Sequence, residues 1–385
     1  MNSLLHWNFV ACCLSNLLFY TSVYVLVPVL PLYLIDEFHA EKSLAGVVLS
    51  LFAFAGMLSR PFSGFLVDTF RRKPLYLLCY FLFTVHFAGY LLAGTLLVLA
   101  VLRAAQGLIF SIATTSSTTV VVDLLPVDKQ GRGIGIFGVT TSAGILFGPL
   151  TGLTVLTHYS FHAVFAVALA ISAVALLIGA TIRMEKQLPP TKPDEHRKKF
   201  SIKNIILAQG LRMALCVILV MFLYGALIHY LTLFVRERDI TTEPGYFFVL
   251  LSLGLILGRL VGGWLVDKGF LLLPVIIGKL CMIATVFVLG ADIFLPSALL
   301  CGLGYGIIFP SYQTIFIRLA SGEQRGIAIS TYRTATDFGT GFAILCGGLI
   351  AELSSFFGVF LTGAVMVCFS MLFFITVAAP HFKRR

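Results

Sequence analysis

Leu58-Ser-Arg-Pro-Phe-Ser-Gly-Phe-Leu-Val-Asp68 returns as Leu257-Gly-Arg-Leu-Val-Gly-Gly-Trp-Leu-Val-Asp267, a constant 199 residues further along the chain. Six of the eleven positions are identical: Leu58, Arg60, Gly64, Leu66, Val67 and Asp68 recur as Leu257, Arg259, Gly263, Leu265, Val266 and Asp267. Apolar composition alone does not make a rare Arg and a rare Asp coincide, so the chain reads as two repeating halves. The same offset carries Gly107-Leu-Ile-Phe110 onto Gly306-Ile-Ile-Phe309. Between the halves lies the longest polar stretch, Arg183 to Lys203, with Pro189, Pro190 and Pro193 among mixed charges. The expected organisation is a first bundle over residues 1–182, a linker over 183–207 and a second bundle over 208–385.

The 385 residues are 59% hydrophobic and 11% charged, with a mean hydropathy of +0.99. Soluble globular chains carry about 45–50% apolar and about 25% charged residues. A cytosolic enzyme, a disordered protein and a nucleic-acid binder are thereby excluded. A bilayer core about 30 Å thick needs roughly 20 apolar residues per helix. Breaking the chain at charge, Pro and Gly clusters leaves twelve such runs, at 8–35, 44–67, 74–93, 96–122, 133–157, 161–182, 208–235, 245–266, 270–290, 294–317, 326–350 and 356–378. The fold class is an all-α integral membrane protein, with twelve transmembrane helices in two pseudo-symmetric six-helix bundles. Parallel six-span halves about an axis normal to the membrane are one transporter architecture. The first run is too long for a signal-peptide core and lacks a basic leader, so no cleaved segment is expected.

The basic residues orient these spans. With the N-terminus inside, the cytoplasmic side receives Arg71, Arg72, Lys73, Lys129, Arg132, Arg183, Lys186, Lys192, Arg197, Lys198, Lys199, Lys203, Lys268, Arg318, Arg325, Lys383, Arg384 and Arg385. That is eighteen, against Lys42, Arg236 and Arg238 outside, with six in or near the membrane. The asymmetry follows the positive-inside rule and makes both termini cytoplasmic. The net charge of +10 is then a topology signal, complementary to anionic lipid of the inner leaflet. The eight cysteines all fall within apolar runs without ligand spacing, so they read as small membrane-core residues.

Over essentially its whole length the layout resembles the major facilitator superfamily. Gly64-Phe-Leu-Val-Asp68-Thr-Phe-Arg71-Arg72-Lys73 is similar to that family's signature loop between spans two and three. Arg103-Ala-Ala-Gln106-Gly107 in span four is similar to its buried-Arg motif. In span five Gly135, Gly144, Gly148, Pro149 and Gly152 keep the spacing of its antiporter motif, and Pro28-Val-Leu-Pro31 resembles an element of its drug-exporter branch, the twelve-span drug:proton antiporters. Thr69, Arg71 and Leu153 depart from the family pattern. The resemblance implies rocking of the two halves about a midplane site. It also implies a gating role for the signature loop and places spans one, four, seven and ten around a central cavity.

The intramembrane charges carry the chemistry. An Arg or Asp at a helix centre costs about 2.5–3.5 kcal/mol on insertion scales, so such residues are usually paired, cavity-facing and functional. Arg60, Arg103, Arg259 and Arg333 qualify as cations, and Asp337 is the one carboxylate plainly mid-span. Arg333 and Asp337 are one turn apart on the same face. A protonatable Asp whose proton affinity depends on a movable Arg is a coupling device; a permanently ionised pair that only stabilises packing is the other reading. Arg103 has three readings: a contact for an anionic substrate, a modulator of a proton site, or a donor to the backbone of span one. Gating is expected of Asp68, Arg71, Arg72 and Gly64, with Arg60, Arg259 and Asp267 as the repeat's counterparts; for the acids the alternative is an interfacial charge with snorkelling neighbours. In span five the physical content of Gly144, Gly148, Pro149 and Gly152 is close packing and a bend.

An amphipathic, aromatic-rich cavity is expected from Asn16, Tyr20 and Tyr24 of span one, Arg103 of span four, Tyr224 and His229 of span seven, and Tyr305, Phe309, Tyr312 and Gln313 of span ten. Helix contacts and interfacial tyrosines are the alternative for any one of them. The hydroxyl run Thr114–Thr119 reads as backbone-bonded, and Gly302-Leu-Gly304-Tyr-Gly306 as helix packing. No nucleotide loop, catalytic constellation or metal-ligand cluster is present, so neither an enzyme nor a cofactor is expected. The expected function is proton-coupled efflux of a small amphipathic or drug-like molecule by alternating access, from a monomer in a bacterial-type inner (plasma) membrane. The alternative is proton-coupled uptake of a small organic anion or nutrient. The partners are the substrate, protons and the bilayer, with no nucleic acid.

Overall fold

The computed structural model describes residues 6–126, 130–184, 206–320 and 324–383. Among them, twelve helical segments are long and apolar enough to cross a membrane. The first six spans are α1 (Trp7–Leu26) continued by α2 (Val29–Asp36), α3 (Lys42–Thr69), α4 (Arg72–Leu91), α5 (Leu96–Leu124), α6 (Gln130–His158) and α7 (Phe161–Thr181). The second six are α8 (Leu211–Glu237), α9 (Pro244–Asp267), α10 (Leu273–Gly290), α11 (Phe294–Leu319), α12 (Arg325–Leu353) and α13 (Phe356–Phe373), the last extended by a π-turn (Phe374–Ala378) and α14 (Ala379–Lys383). The all-α architecture and the number of spans are those expected, because in hydrocarbon every backbone N–H and C=O must be satisfied inside its own segment.

Two details differ from uniform rods. The run expected over 8–35 breaks at Val27–Pro28, where proline lacks the N–H that would bond back one turn and its ring crowds the preceding turn. By contrast Pro61, Pro149 and Pro310 lie inside α3, α6 and α11, which continue past them. The connection between α3 and α4 is only Phe70–Arg71. Gly64 and Asp68 therefore ride on the end of α3, while the basic cluster opens α4. Most of the expected linker lies outside the described residues, at 185–205.

The chain separates into two compact units, residues 1–33 with 54–198, and residues 34–53 with 199–385. In the first, α1 is held by hydroxyls as well as by packing. Ser15 Oγ donates to the Ala175 carbonyl of α7 at 2.6 Å and lies 2.7 Å from the Tyr76 hydroxyl of α4. Thr84 of α4 and Ser172 of α7 meet at 2.7 Å. Between α3 and α5, Ser59 donates to the Leu108 carbonyl at 3.2 Å and Ser63 meets Ser111 at 3.1 Å. Lipid tails give helices no hydrophobic reason to associate, so such bonds and close packing do the work.

In the second unit the repeat's counterpart of that contact is a glycine seam between α9 and α11. A Cβ on Gly258 would stand 2.9 Å from the Gly306 Cα, and one on Gly302 would sit on the backbone of Leu251 and Leu255. The unit also gathers residues 34–53, which the sequence assigns to the first bundle. Lys42 Nζ reaches Glu237 Oε2 at 3.5 Å and the Ala351 carbonyl at 3.3 Å, and lies 4.8 Å from the Phe356 ring centroid. Glu237 also accepts from the Phe356 N–H at 3.1 Å, Glu352 from the Ser43 N–H at 3.0 Å, and Asp36 from Arg236 at 2.5 Å. Arg238 lies 5.2 Å from the Phe357 ring. All three cations that the charge pattern puts outside thus belong to one carboxylate- and aromatic-rich clasp.

Glu237 closes the N-terminus of α13 and an ion pair at once. Glu237→Gln is expected to lower stability by about 1 kcal/mol, read as a reduced thermal midpoint of the purified protein. Asp36→Asn, on a more exposed pair, is expected to move that midpoint less.

Candidate functional site

In the second unit, four helices bring rings and charges together. Tyr224 of α8 stacks on Tyr305 of α11 with ring centroids 4.0 Å apart. Phe309, one turn along α11, is edge-on to Tyr305 at 6.2 Å and to Tyr332 of α12 at 5.8 Å. Arg259 of α9 lies over Phe309 at 4.8 Å from the ring centroid. The Tyr305 hydroxyl is within electrostatic reach of Arg259 and Asp337, and the Tyr332 hydroxyl of Arg259 and Arg333. Tyr224 and Tyr305 are buried, whereas Arg259, Phe309, Arg333 and Asp337 are half-buried. The cluster pairs flat apolar surface with ionisable groups of both signs, which suits an amphipathic ligand. Tyr332 carries no mark in its own span that would single it out; only the fold sets it against Phe309.

The other expected cavity residues distribute differently. His229 is half-buried, its Nδ1 2.9 Å from the Gly225 carbonyl one turn back. Gln313 is half-buried. Tyr312 sits apart from the Tyr305 cluster, edge-on to Phe374 at 6.2 Å. Close to it is a residue that the sequence pattern does not single out. Lys279 of α10 is fully buried, donates to the Ser370 carbonyl of α13 at 2.9 Å, and lies 4.6 Å from the Phe374 ring and 5.9 Å from Tyr312. The insertion cost that marks the four arginines marks Lys279 equally. Its carbonyl partner stands just before the π-turn at Phe374–Ala378, where the helical bonding pattern changes.

In the first unit Arg103 is buried and donates through Nη1 to Gln106 Oε1 at 3.2 Å; the Tyr90 hydroxyl of α4 donates to the same oxygen at 2.7 Å. Asn16 is buried and its Nδ2 donates to Thr140 at 2.9 Å and Thr141 at 3.0 Å, both on α6. Tyr20 and Tyr24 stack at 6.4 Å along α1. The span-five glycines form the face of α6 that meets this helix. A Cβ on Gly144 would fall 3.0 Å from the Leu17 carbonyl, one on Gly148 2.9 Å from that of Thr21, and one on Gly152 would overlap Val25. Pro149 is buried on the same helix. From Thr114 to Thr119 every hydroxyl donates to a carbonyl three or four residues back, as expected for a backbone-bonded run.

At the ends near the signature loop, Arg72 pairs with Asp123 of α5, a partner that linear spacing does not reveal. Arg71 is exposed at the start of α4. Gly64 faces open space, and Arg60 is half-buried on α3. The Asp68 side chain lies outside what the structure describes. Asp267 is exposed, and its neighbour Lys268 stacks on Trp264 at 3.9 Å.

The sequence profile of the Major Facilitator Superfamily matches residues 12–321. The chain is 27% identical over 379 residues to the uncharacterized MFS-type transporter YceJ of Bacillus subtilis, covering 93% of each chain. It is 24% identical over 371 residues to the multidrug resistance protein MdtG of Escherichia fergusonii, covering 91% of this chain and 89% of that one. Among solved structures it is similar in fold to the nucleoside transporter NupG, with a TM-score of 0.74, 14% identity and 100% of both chains covered.

The α1–α6 contact leaves no room for a side chain. Gly148→Leu is expected to abolish recovery of monodisperse protein on size exclusion. Gly64→Ala, in open space on a helix that gains from alanine, is expected to be recovered like the parent.

Proposed function

The chain belongs to the Major Facilitator Superfamily and is a multi-pass membrane transporter, and from that premise we propose that it is a proton-coupled exporter of small amphipathic or drug-like molecules, working by alternating access as a monomer in the inner (plasma) membrane. The observation that carries the coupling is Asp337. It is the one carboxylate six or more residues in from either end of a described helix, it follows Arg333 by one turn, and it lies in electrostatic reach of Tyr305. A protonatable carboxylate one turn from a guanidinium is the pair of groups that a coupling site requires. Each charge moved across the membrane is worth about 2.3 kcal/mol per 100 mV.

Export is supported by two independent features. The glycine stripe of α6 keeps the spacing associated with antiporters, and several relatives with about a quarter identity are named multidrug resistance proteins. The aromatic cluster of Tyr224, Tyr305 and Phe309 supplies a surface for an apolar body. The gate assigned to this reading is the segment Gly64–Lys73, with Asp68, Arg71 and Arg72 and the repeated acid Asp267. The sparse positive charge at Lys42, Arg236 and Arg238 supports cytoplasmic placement of both termini.

In inverted membrane vesicles, acidifying the lumen should drive substrate accumulation, and added substrate should dissipate the pH gradient. Asp337→Asn is expected to retain counterflow exchange while losing gradient-driven accumulation at least tenfold. Undiminished active transport in that variant removes the coupling assignment. Uptake by intact cells that an uncoupler abolishes replaces export with symport.

A further inference from the structure

Six or more residues in from either end of their helices, the described spans carry four arginines, Arg60, Arg103, Arg259 and Arg333, and one lysine, Lys279. A guanidinium keeps its charge in a protein, whereas an amine can give its proton up. Lys279 has no exposed surface, and its neighbours are neutral. Nζ donates to the Ser370 carbonyl at 2.9 Å and lies 4.6 Å from the centre of the Phe374 ring. The titratable side chains that face it are the Cys216 thiol of α8, which shares the Ser370 carbonyl at 3.8 Å, and Tyr312 of α11, whose ring is 5.9 Å away. By their ordinary values both are uncharged at neutral pH. Among the described residues, α9 and α13 bring neither a carboxylate nor a second cation to it.

Two opposing pressures act on this amine. Burial away from any carboxylate disfavours its charge. Its partners favour the charge, because a carbonyl and a ring face both hold an ammonium more strongly than a neutral amine. Both partners stand at one place in the last span. The Ser370 carbonyl also accepts from the Phe374 N–H, and Phe374 opens the π-turn. Pro380, two residues past that turn, has no N–H to return to it, so the span is short of a backbone bond there. We infer that Lys279 is a proton-exchanging group, and that its charge state sets how firmly the end of the last span, from Ser370 to Lys383, is held. The ammonium clamps Ser370 and Phe374 to α10. When one of its N–H bonds breaks, the proton passes to water entering at the π-turn, the electron pair stays on Nζ, and the clamp loosens. The site is separate from Asp337 and needs no coupling there, so it can fail while the transport reading stands, and the reverse.

Hydrogen–deuterium exchange of the purified full chain in uncharged detergent reads the clamp, with rates corrected for the intrinsic effect of pH on amide exchange. Between about pH 7 and about pH 9.5 the amides of residues 371–383 are expected to lose protection at least threefold, while those of residues 223–235 in α8 keep theirs. Lys279→Arg stays charged at both pH values and should hold the segment at both. Lys279→Met is uncharged at both and should leave it loose at both. Each substitution therefore removes the step. A step that survives in either variant belongs to Cys216 or Tyr312 and overturns the inference. Parent protection that does not change over this range, or that is lost equally in α8, overturns it as well. If one variant is not recovered folded, the other and the parent profile carry the test.

Discussion

The absence of water from the bilayer core is the constraint from which the rest of this molecule follows. A backbone group left unpaired there costs several kcal/mol, so the chain resolves into helices that satisfy themselves. The same pressure governs side chains. The hydroxyls of Thr114 to Thr119 return to their own helix, and Ser15 binds the Ala175 carbonyl of a neighbouring one. Even the break at Val27–Pro28 occupies only two residues before the helix resumes as α2.

Hydrophobicity cannot then hold the spans to one another, because the lipid is as apolar as they are. Close approach replaces it. Gly144, Gly148 and Gly152 let α6 ride on the backbone of α1, and Gly258 with Gly306 bring α9 onto α11. These contacts leave no space for a side chain, so each seam is a close-packed helix pair, and rigid pairs are what the proposed rocking mechanism requires.

Much of this is legible in the sequence, for a definable reason. Span number, span ends and the glycine faces depend on what lies within one run of residues, and a run is what a sequence displays. Partners across helices are not displayed. Arg72 pairs with Asp123, some fifty residues away, and nothing in the linear spacing announces that acid. Tyr312 shares a helix with Tyr305, but it turns instead toward Phe374 and Lys279. Residues 34–53 group with the second unit, where Gly46 packs on the backbone of Ile344 and Gly348 and Asp36 and Lys42 pair with Arg236 and Glu237, contacts again invisible to spacing. Lys279 is different in kind: its cost is readable, and only its solitary place among apolar neighbours disguises it.

The repeat shows where the scaffold ends and the chemistry begins. Carried 199 residues along, Gly144, Gly148 and Gly152 fall on Ala343, Gly347 and Ala351, so smallness is retained at all three positions. Arg60 and Asp68 are retained as Arg259 and Asp267. Most of the other polar groups are not. Asp337 corresponds to Gly138, Arg333 to Ile134 and Arg103 to Gly302, while Asn16, Tyr20 and Tyr24 correspond to Leu215, Leu219 and Leu223. Gly302 illustrates why the exchange is one-way: its missing side chain is where the Leu251 backbone lies, so an arginine there would force α9 and α11 apart. Close packing is thus common to the halves, whereas ionisable groups are divided between them. In the coupling reading proposed above, Asp337 gives the second half a proton site that the first half does not repeat.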